Sequence, residues 1–365
     1  GAPTFSPTCV GMWERTATYN VSALNQTDAI ISKDGSTAFF YETLDGETLY
    51  TTYRNVGLIE DDQDENRFQS GFSSTTVTAA ALSGDGKFLF LGQTFEATST
   101  SSLYVYGRDD TLASGSLWTL KVKGPHFDLQ SEKVFAIASV SSSWNGSTVA
   151  FAASDGSNGT VRVAGLSDDG IWERAELERK DYDSSTRVAL SADGKRLVVA
   201  YADEIRAYEN TTSSRINTSD WLQIGSTIED NEGPRQLELE SMRNGHLFSY
   251  GSFGVKNKWQ LLRWYQNSFW DSIVTTSRNQ IAISANGNVL ALLGHADRGN
   301  STTSVSLYGL PTENVPIANL QGFTFPPGDF IKGRLSTDGS RLVVILSDEM
   351  VVYEKFCSGG GDEAS

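Results

Sequence analysis

Short apolar runs recur along this chain, each too brief for a helix and each bounded by Gly, Asn, Asp or Ser. Residues 186–208 show the pattern most fully: Thr-Arg-Val-Ala-Leu-Ser-Ala-Asp-Gly-Lys-Arg-Leu-Val-Val-Ala-Tyr-Ala-Asp-Glu-Ile-Arg-Ala-Tyr. Three β runs fit it, at 188–191, 196–200 and 205–208. Asp193-Gly194 joins the first two, a dipeptide that accepts the positive φ of a tight hairpin turn. The same dipeptide type returns as Asp34-Gly35, Asp85-Gly86, Asn145-Gly146, Asn244-Gly245, Asn286-Gly287 and Asp338-Gly339, at spacings of about forty to sixty residues. A repeat of that period points to stacked or radially arranged units of a few strands each.

Each copy carries further runs. A small or apolar run precedes the turn, as at 79–83 and 280–284, and a second follows it, as at 88–91, 149–152, 289–293 and 342–346. A third lies at 103–106, 161–163, 305–308 and 351–353. A fourth, outer run carries Trp118, Trp172, Trp221 or Trp270 in four copies, while the first and sixth copies have 55–60 and 315–320 in that slot. These indoles are expected to pack one unit against the next, given the area a buried ring removes from water, rather than to stack on a ligand.

The ends fit the same scheme. Residues 11–16, Gly-Met-Trp-Glu-Arg-Thr, read like 170–175, Gly-Ile-Trp-Glu-Arg-Ala, and so like a fourth strand, yet they precede the first turn. The last copy stops after its third run at Tyr353. The expected fold is therefore all-β: a seven-bladed β-propeller closed by the N-terminal strand, which completes the last blade. An open solenoid would need capping repeats, and none is visible. The expected organisation is one propeller domain at 9–357 between tails at 1–8 and 358–365 that are flexible by composition. Cys9 and Cys357 fall where a loop joins third to fourth strand in other copies, so a Cys9–Cys357 disulfide is expected there. On the chain-entropy model such a bridge contributes about 4–5 kcal/mol.

Charge removes one class of partner. The formal net charge is -16 and the pI about 4.6, the wrong sign for a nucleic-acid binder. No apolar run approaches the length of a membrane span, so membrane insertion is not expected. Asn-X-Ser/Thr acceptors occur at Asn20, Asn25, Asn145, Asn158, Asn210, Asn217 and Asn300, mostly in expected loops. With the even cysteine count they favour a secreted, extracellular protein bearing N-linked glycans. On a propeller, Asn20, Asn25, Asn158 and Asn300 would fall on one face and Asn145, Asn210 and Asn217 on the other. Sugar would then shield both flat faces.

The phrase Val-Ala-Leu-Ser-Ala-Asp-Gly-Lys-Arg-Leu-Val-Val-Ala, followed by Ile205-Arg-Ala-Tyr-Glu and Trp221-Leu-Gln-Ile-Gly-Ser-Thr-Ile-Glu, resembles the repeat of secreted propeller proteins from diatoms and related stramenopile algae. More distantly it is similar to WD-repeat-like and integrin-type propellers. The resemblance implies a non-catalytic platform with an interaction or structural role, and it transfers no active-site residue.

Motifs for chemistry are sparse. His126, His246 and His295 lie in different copies, and none has a second His or a Cys at metal-ligand spacing. Neither a Gly-X-Ser-X-Gly elbow nor a Gly-X4-Gly-Lys-Ser/Thr phosphate loop is present. The acidic run at 60–66 could direct the oxygens of Asp62, Asp64 and Asn66 at a calcium ion, but it lacks the Gly and bidentate Glu of an EF-hand loop. The favoured reading is a solvated charged loop between blades, and no cofactor is expected. Asp28, Asp181, Asp183, Asp203 and Glu204 sit at expected strand ends, and nothing singles out a catalytic pair among them. The function expected is a secreted, N-glycosylated, non-catalytic structural or interaction module, with protein partners or copies of itself, as a subunit of an extracellular fibre or surface coat. The alternative is a lectin or carbohydrate-active enzyme with its site at one mouth of the propeller channel.

Overall fold

The computed structural model describes residues 12–21, 28–44, 47–54, 56, 67–72, 75–95, 100–108, 118–122, 136–154, 158–166, 172–181, 186–201, 203–211, 220–229, 235–238, 247–252, 258–265, 269–276, 280–284, 288–295, 303–309, 318–325 and 330–356. Their regular structure is all β, in 28 strands. After β1 (Met12–Asn20) comes the first sheet, β2 (Asp28–Ile31), β3 (Thr37–Leu44), β4 (Glu47–Arg54) and β5 (Arg67–Phe72). The second is β6 (Thr75–Leu82), β7 (Phe88–Phe95), β8 (Thr100–Arg108) and β9 (Trp118–Val122). The third is β10 (Ala136–Ser142), β11 (Thr148–Ser154), β12 (Asn158–Leu166) and β13 (Trp172–Asp181). The fourth is β14 (Arg187–Leu190), β15 (Arg196–Ala200), β16 (Glu204–Asn210) and β17 (Trp221–Glu229). The fifth is β18 (Arg235–Glu238), β19 (Leu247–Ser252), β20 (Lys258–Tyr265) and β21 (Phe269–Thr276). The sixth is β22 (Gln280–Ile283), β23 (Val289–His295), β24 (Thr303–Gly309) and β25 (Ala318–Thr324). In the seventh, β26 (Phe330–Leu335), β27 (Arg341–Leu346) and β28 (Glu349–Phe356) are joined by β1, which pairs antiparallel with β28 from Met12↔Phe356 to Asn20↔Glu349.

Two expected strands are displaced. The outer strand of the first sheet is β5 at Arg67–Phe72, not 55–60, and that of the sixth is Ala318–Thr324, not 315–320. An edge strand buries little, so its apolar pattern is faint, and Arg-Phe-Gln-Ser-Gly-Phe offers no run to read. The acidic run at 60–66 therefore connects β4 to β5 within one sheet instead of joining two sheets.

The core lies between sheets. The middle strands are buried on both faces, which explains their unbroken apolar runs; Leu342, Val343, Val344 and Ile345 are each 0 % exposed. Phe39, Leu89, Leu91 and Trp118 pack the first sheet on the second, and Phe90, Ile137, Val149 and Phe151 the second on the third. Ala150, Val188, Leu197 and Trp221 join third to fourth, Leu293, Val305, Val344 and Trp13 sixth to seventh, and Val343, Ile345, Ala29 and Phe40 seventh to first. The outer-strand indoles that are described do pack across sheets: Trp118 Nε1 donates to Thr52 Oγ1 of the first sheet at 2.9 Å.

First strands lie against one another: β2 touches β6, β6 touches β10, β10 touches β14, β14 touches β18, β22 touches β26 and β26 touches β2. Their outward N–H groups are met by side chains of the preceding sheet. Val188 and Leu190 donate to Ser139 Oγ and Ser141 Oγ at 3.2 and 2.9 Å. Gly333 donates to Gln280 Oε1 at 2.9 Å, and Val77 to Thr48 Oγ1 at 3.3 Å. The polar residues in otherwise apolar runs thus satisfy strand edges that water does not reach.

Candidate functional site

The turn between first and second strands is the most regular feature of the chain. In Ser191-Ala192-Asp193-Gly194-Lys195-Arg196 the Ser191 hydroxyl accepts from the Arg196 N–H at 2.8 Å and donates to Asp193 Oδ1. That carboxylate accepts from the Lys195 N–H at 3.0 Å, and Gly194, at φ 73, donates to the Ser191 carbonyl at 3.0 Å. The arrangement repeats with Ser32 and Asp34, Ser83 and Asp85, Ser143 and Asn145, and Ser336 and Asp338. The serine is as much part of the turn as the Asp-Gly pair, and it was visible two positions upstream.

The residue between that Ser and Asp joins neighbouring turns. Asp34 N–H donates to the Gly84 carbonyl at 2.9 Å, Asp85 N–H to that of Trp144 at 3.0 Å, and Trp144 N–H to that of Ala192 at 2.7 Å. Thr337 Oγ1 donates to the Lys33 carbonyl at 3.2 Å, which links the seventh turn to the first. A Cβ on Gly84 would meet the Trp144 ring at 2.4 Å, so only glycine fits beneath that indole. Lys33 reaches furthest. Its Nζ donates to the Leu190 carbonyl, on the first strand of the fourth sheet, at 3.3 Å, and the residue is 7 % exposed. An ammonium in such a place is held by the bonds it makes. Among the described residues, the Lys33 side chain thus links the first sheet to the fourth at this end.

At the opposite end three of the described carboxylates, Asp28, Glu204 and Glu349, have structural partners, while Asp203 is exposed. Asp28 accepts from the Ala29 N–H and, at 2.8 Å, from the Tyr41 hydroxyl. Burial, then the Asp28 charge and this bond, push the Tyr41 phenol well above its ordinary value. Glu204 pairs with Arg206 at 2.9 Å and Glu349 with Arg15 at 3.0 Å. Between the first two sheets Tyr106 is pushed up to about 12, chiefly by burial. Neither phenol is poised for proton transfer near neutral pH.

The residues singled out from sequence are spread over both ends. Asn145 lies in the β10–β11 turn, where its Oδ1 accepts from Ser143 Oγ and from the Ser147 N–H and hydroxyl at 3.2, 3.1 and 2.7 Å. The amide nitrogen that would carry a sugar takes no part in those bonds. Asn210 closes β16, and its N–H donates to the Lys195 carbonyl, which places it at the turn end too. Asn20 is exposed and pairs with Glu349 at the other end, and Asn158 pairs with Asp181 there. Asn25, Asn217, Asn300, Cys9, Cys357, Asp62, Asp64 and Asn66 lie outside the described residues, as do His126 and His246, while His295 ends β23. Among the described residues no group of three or more His, Cys, Asp or Glu could hold a metal ion.

No family model matches the chain, and no curated protein matches it by sequence. Solved structures do match in shape. The β-propeller domain of Cps50 (Swd1) from Myceliophteria thermophila superposes with a TM-score of 0.53 at 11 % identity, over 92 % of this chain and 99 % of that one. The fold is a β-propeller. The C-terminal WD40 domain of Sif2 agrees, with a TM-score of 0.50 at 13 % identity over 94 % and 98 % of the two chains. In propeller terms the four-stranded sheets are blades, the first strands are innermost, and Lys33 reaches from the first blade to the fourth at the turn end.

Proposed function

We propose that this chain is a secreted, N-glycosylated propeller of seven blades that acts as a non-catalytic interaction module, with other proteins and copies of itself as partners. The observation that carries the reading is the Lys33 side chain bonded to the Leu190 carbonyl across the turn-end mouth. With Lys33 across it and the nearby turns hydrogen-bonded to one another, recognition belongs to the outer surface of the blades rather than to a funnel. WD40-type architecture, a broad rigid surface suited to holding partners, supports the same conclusion. The pairing of β1 with β28 supports a ring closed in the seventh blade. It pairs Met12 with Phe356, the described residues nearest in sequence to Cys9 and Cys357, which supports the bridge expected between them.

Likeness to secreted stramenopile propellers and the exposed Asn20 and Asn145 support the extracellular assignment. The test is intact mass of protein from a secretory host, non-reduced, before and after enzymatic removal of N-glycans. The expected result is a mass decrease of several glycans with no free thiol. An unchanged mass would sink the glycoprotein reading, and two free thiols the bridge. A glycan array with strong, saturable binding would instead favour a lectin.

A further inference from the structure

Each outer strand leaves one edge of its blade open, and all of these strands but one are interrupted. Thr16 in β1, Lys121 in β9, Leu177 in β13, Ile273 in β21 and Leu320 in β25 are extra residues with no partner on the third strand of the blade. In β17 the register breaks at 225–227, opposite Arg206. Such bulges twist an edge and break the row of N–H and C=O groups that a further strand would pair with. β5 has no bulge. It pairs one to one with β4 from Arg67↔Tyr53 to Phe72↔Thr48, and among the described residues with β4 alone. Alternate residues of Arg-Phe-Gln-Ser-Gly-Phe therefore turn their backbone groups outward in an unbroken row. The strand also lacks the Pro, Lys and carboxylate residues that protect open edges.

We propose that the open edge of β5 is a docking edge, where an extended basic segment of another protein adds as a fifth strand. The inference rests on the interaction module named under the proposed function and supplies its interface and the class of its partner. Charge selects the occupant. Glu60, Asp61, Asp62, Asp64 and Glu65 lead directly into β5 in sequence, on a chain of net charge -16. A second copy would bring the same acidic run to the same edge, so like charges oppose pairing of copies there. A segment with Lys or Arg beside its strand residues meets the opposite sign, and its main-chain bonds to β5 supply the remaining affinity. The acidic run thereby acts in the choice of partner.

Amide hydrogen exchange of the full chain tests this, with and without a synthetic peptide of alternating Val and Thr that carries a block of Lys at one end. The expected result is slowed exchange in 67–72 and none in the bulged strands β9 and β13. The same peptide with Glu in place of Lys should bind at least about tenfold more weakly, and salt should weaken the Lys peptide. A chain carrying Glu60→Gln, Asp61→Asn, Asp62→Asn, Asp64→Asn and Glu65→Gln should lose at least about tenfold in affinity for the Lys peptide at an unchanged urea midpoint. Slowed exchange in a bulged strand instead would overturn the choice of β5 and leave the interaction module standing on another edge. No slowing in any strand, or equal binding of the Lys and Glu peptides, would overturn the docking edge itself.

Discussion

An indole N–H buried between blades needs an acceptor, and the repeat supplies one unevenly. Trp118 finds Thr52, which pairs with Phe39, the fifth residue after the turn Asp. At the matching register Val163 pairs with Ala150 and Leu307 with Ala291. Among the described residues, the Nε1 atoms of Trp221 and Trp13 accordingly have no partner. Val163→Thr is expected to stabilise by about 1 kcal/mol, and Thr52→Val to cost about 1–3 kcal/mol, because a buried donor loses its only exchange for water. Urea midpoints at constant m-value would check both. Asp338 gives a prediction in pH. Burial by itself pushes its carboxyl up, but hydrogen bonds from Ser336 and from the Ser340 backbone and hydroxyl outweigh it and leave the carboxyl below its ordinary value. A lowered folded pKa means stability that is complete above the unfolded value of about 4 and lost as pH falls through the folded one. Asp338→Asn, which the natural Asn145 shows the turn can hold, should therefore be weaker than wild type at pH 7 and converge with it below about pH 4. Thermal melts at both pH values would show a constant gap if the carboxylate charge were irrelevant.

At the scale of the strand and its turn, glycine marks where backbone approaches most closely. Gly194 has φ 73, and a Cβ there would lie 2.8 Å from Thr148 Oγ1 of the third blade. Gly194→Ala should cost at least about 1–2 kcal/mol from the left-handed backbone alone, with the contact added. Gly333 has no such dihedral, yet a Cβ on it would fall 2.2 Å from Leu293 Cδ2 in the sixth blade. Gly333→Ala is expected to cost about 1–3 kcal/mol by overpacking, and pairing it with Leu293→Val should recover part of that loss. A strictly additive double variant would show that the two residues do not meet. These elements differ in how far sequence revealed them. Middle strands such as 196–200 and 342–346 were legible because burial on both faces demands continuous apolar residues. The outer strand at Arg67–Phe72 was not, since Arg-Phe-Gln-Ser-Gly-Phe holds no continuous apolar run. The edge-capping roles of Ser139, Ser141 and Gln280 were also hidden, because a polar residue in an inner strand reads only as an interruption.

The whole molecule depends on contacts between residues far apart in the chain. Lys33 Nζ reaches the Leu190 carbonyl from 157 positions away. Lys33→Ala should lower stability by about 1–3 kcal/mol through the lost bond and packing while leaving the strand content unchanged, which circular dichroism with urea titration would measure. No change in midpoint would mean that the lysine only occupies the mouth. Its lysine identity carried no signal in the sequence, since the same slot holds Gly84, Trp144, Ala192 and Thr337 in other copies. The repeat period, the all-β class and the Asp-Gly turns were determined by sequence alone, because alternation, run length and glycine conformation act over a few neighbouring residues. Which blade each outer strand joins, what Lys33 reaches and which carboxylates are already engaged were decided only in three dimensions. Those outcomes are set by the side chains that meet when separate blades pack, and a linear pattern does not record such meetings.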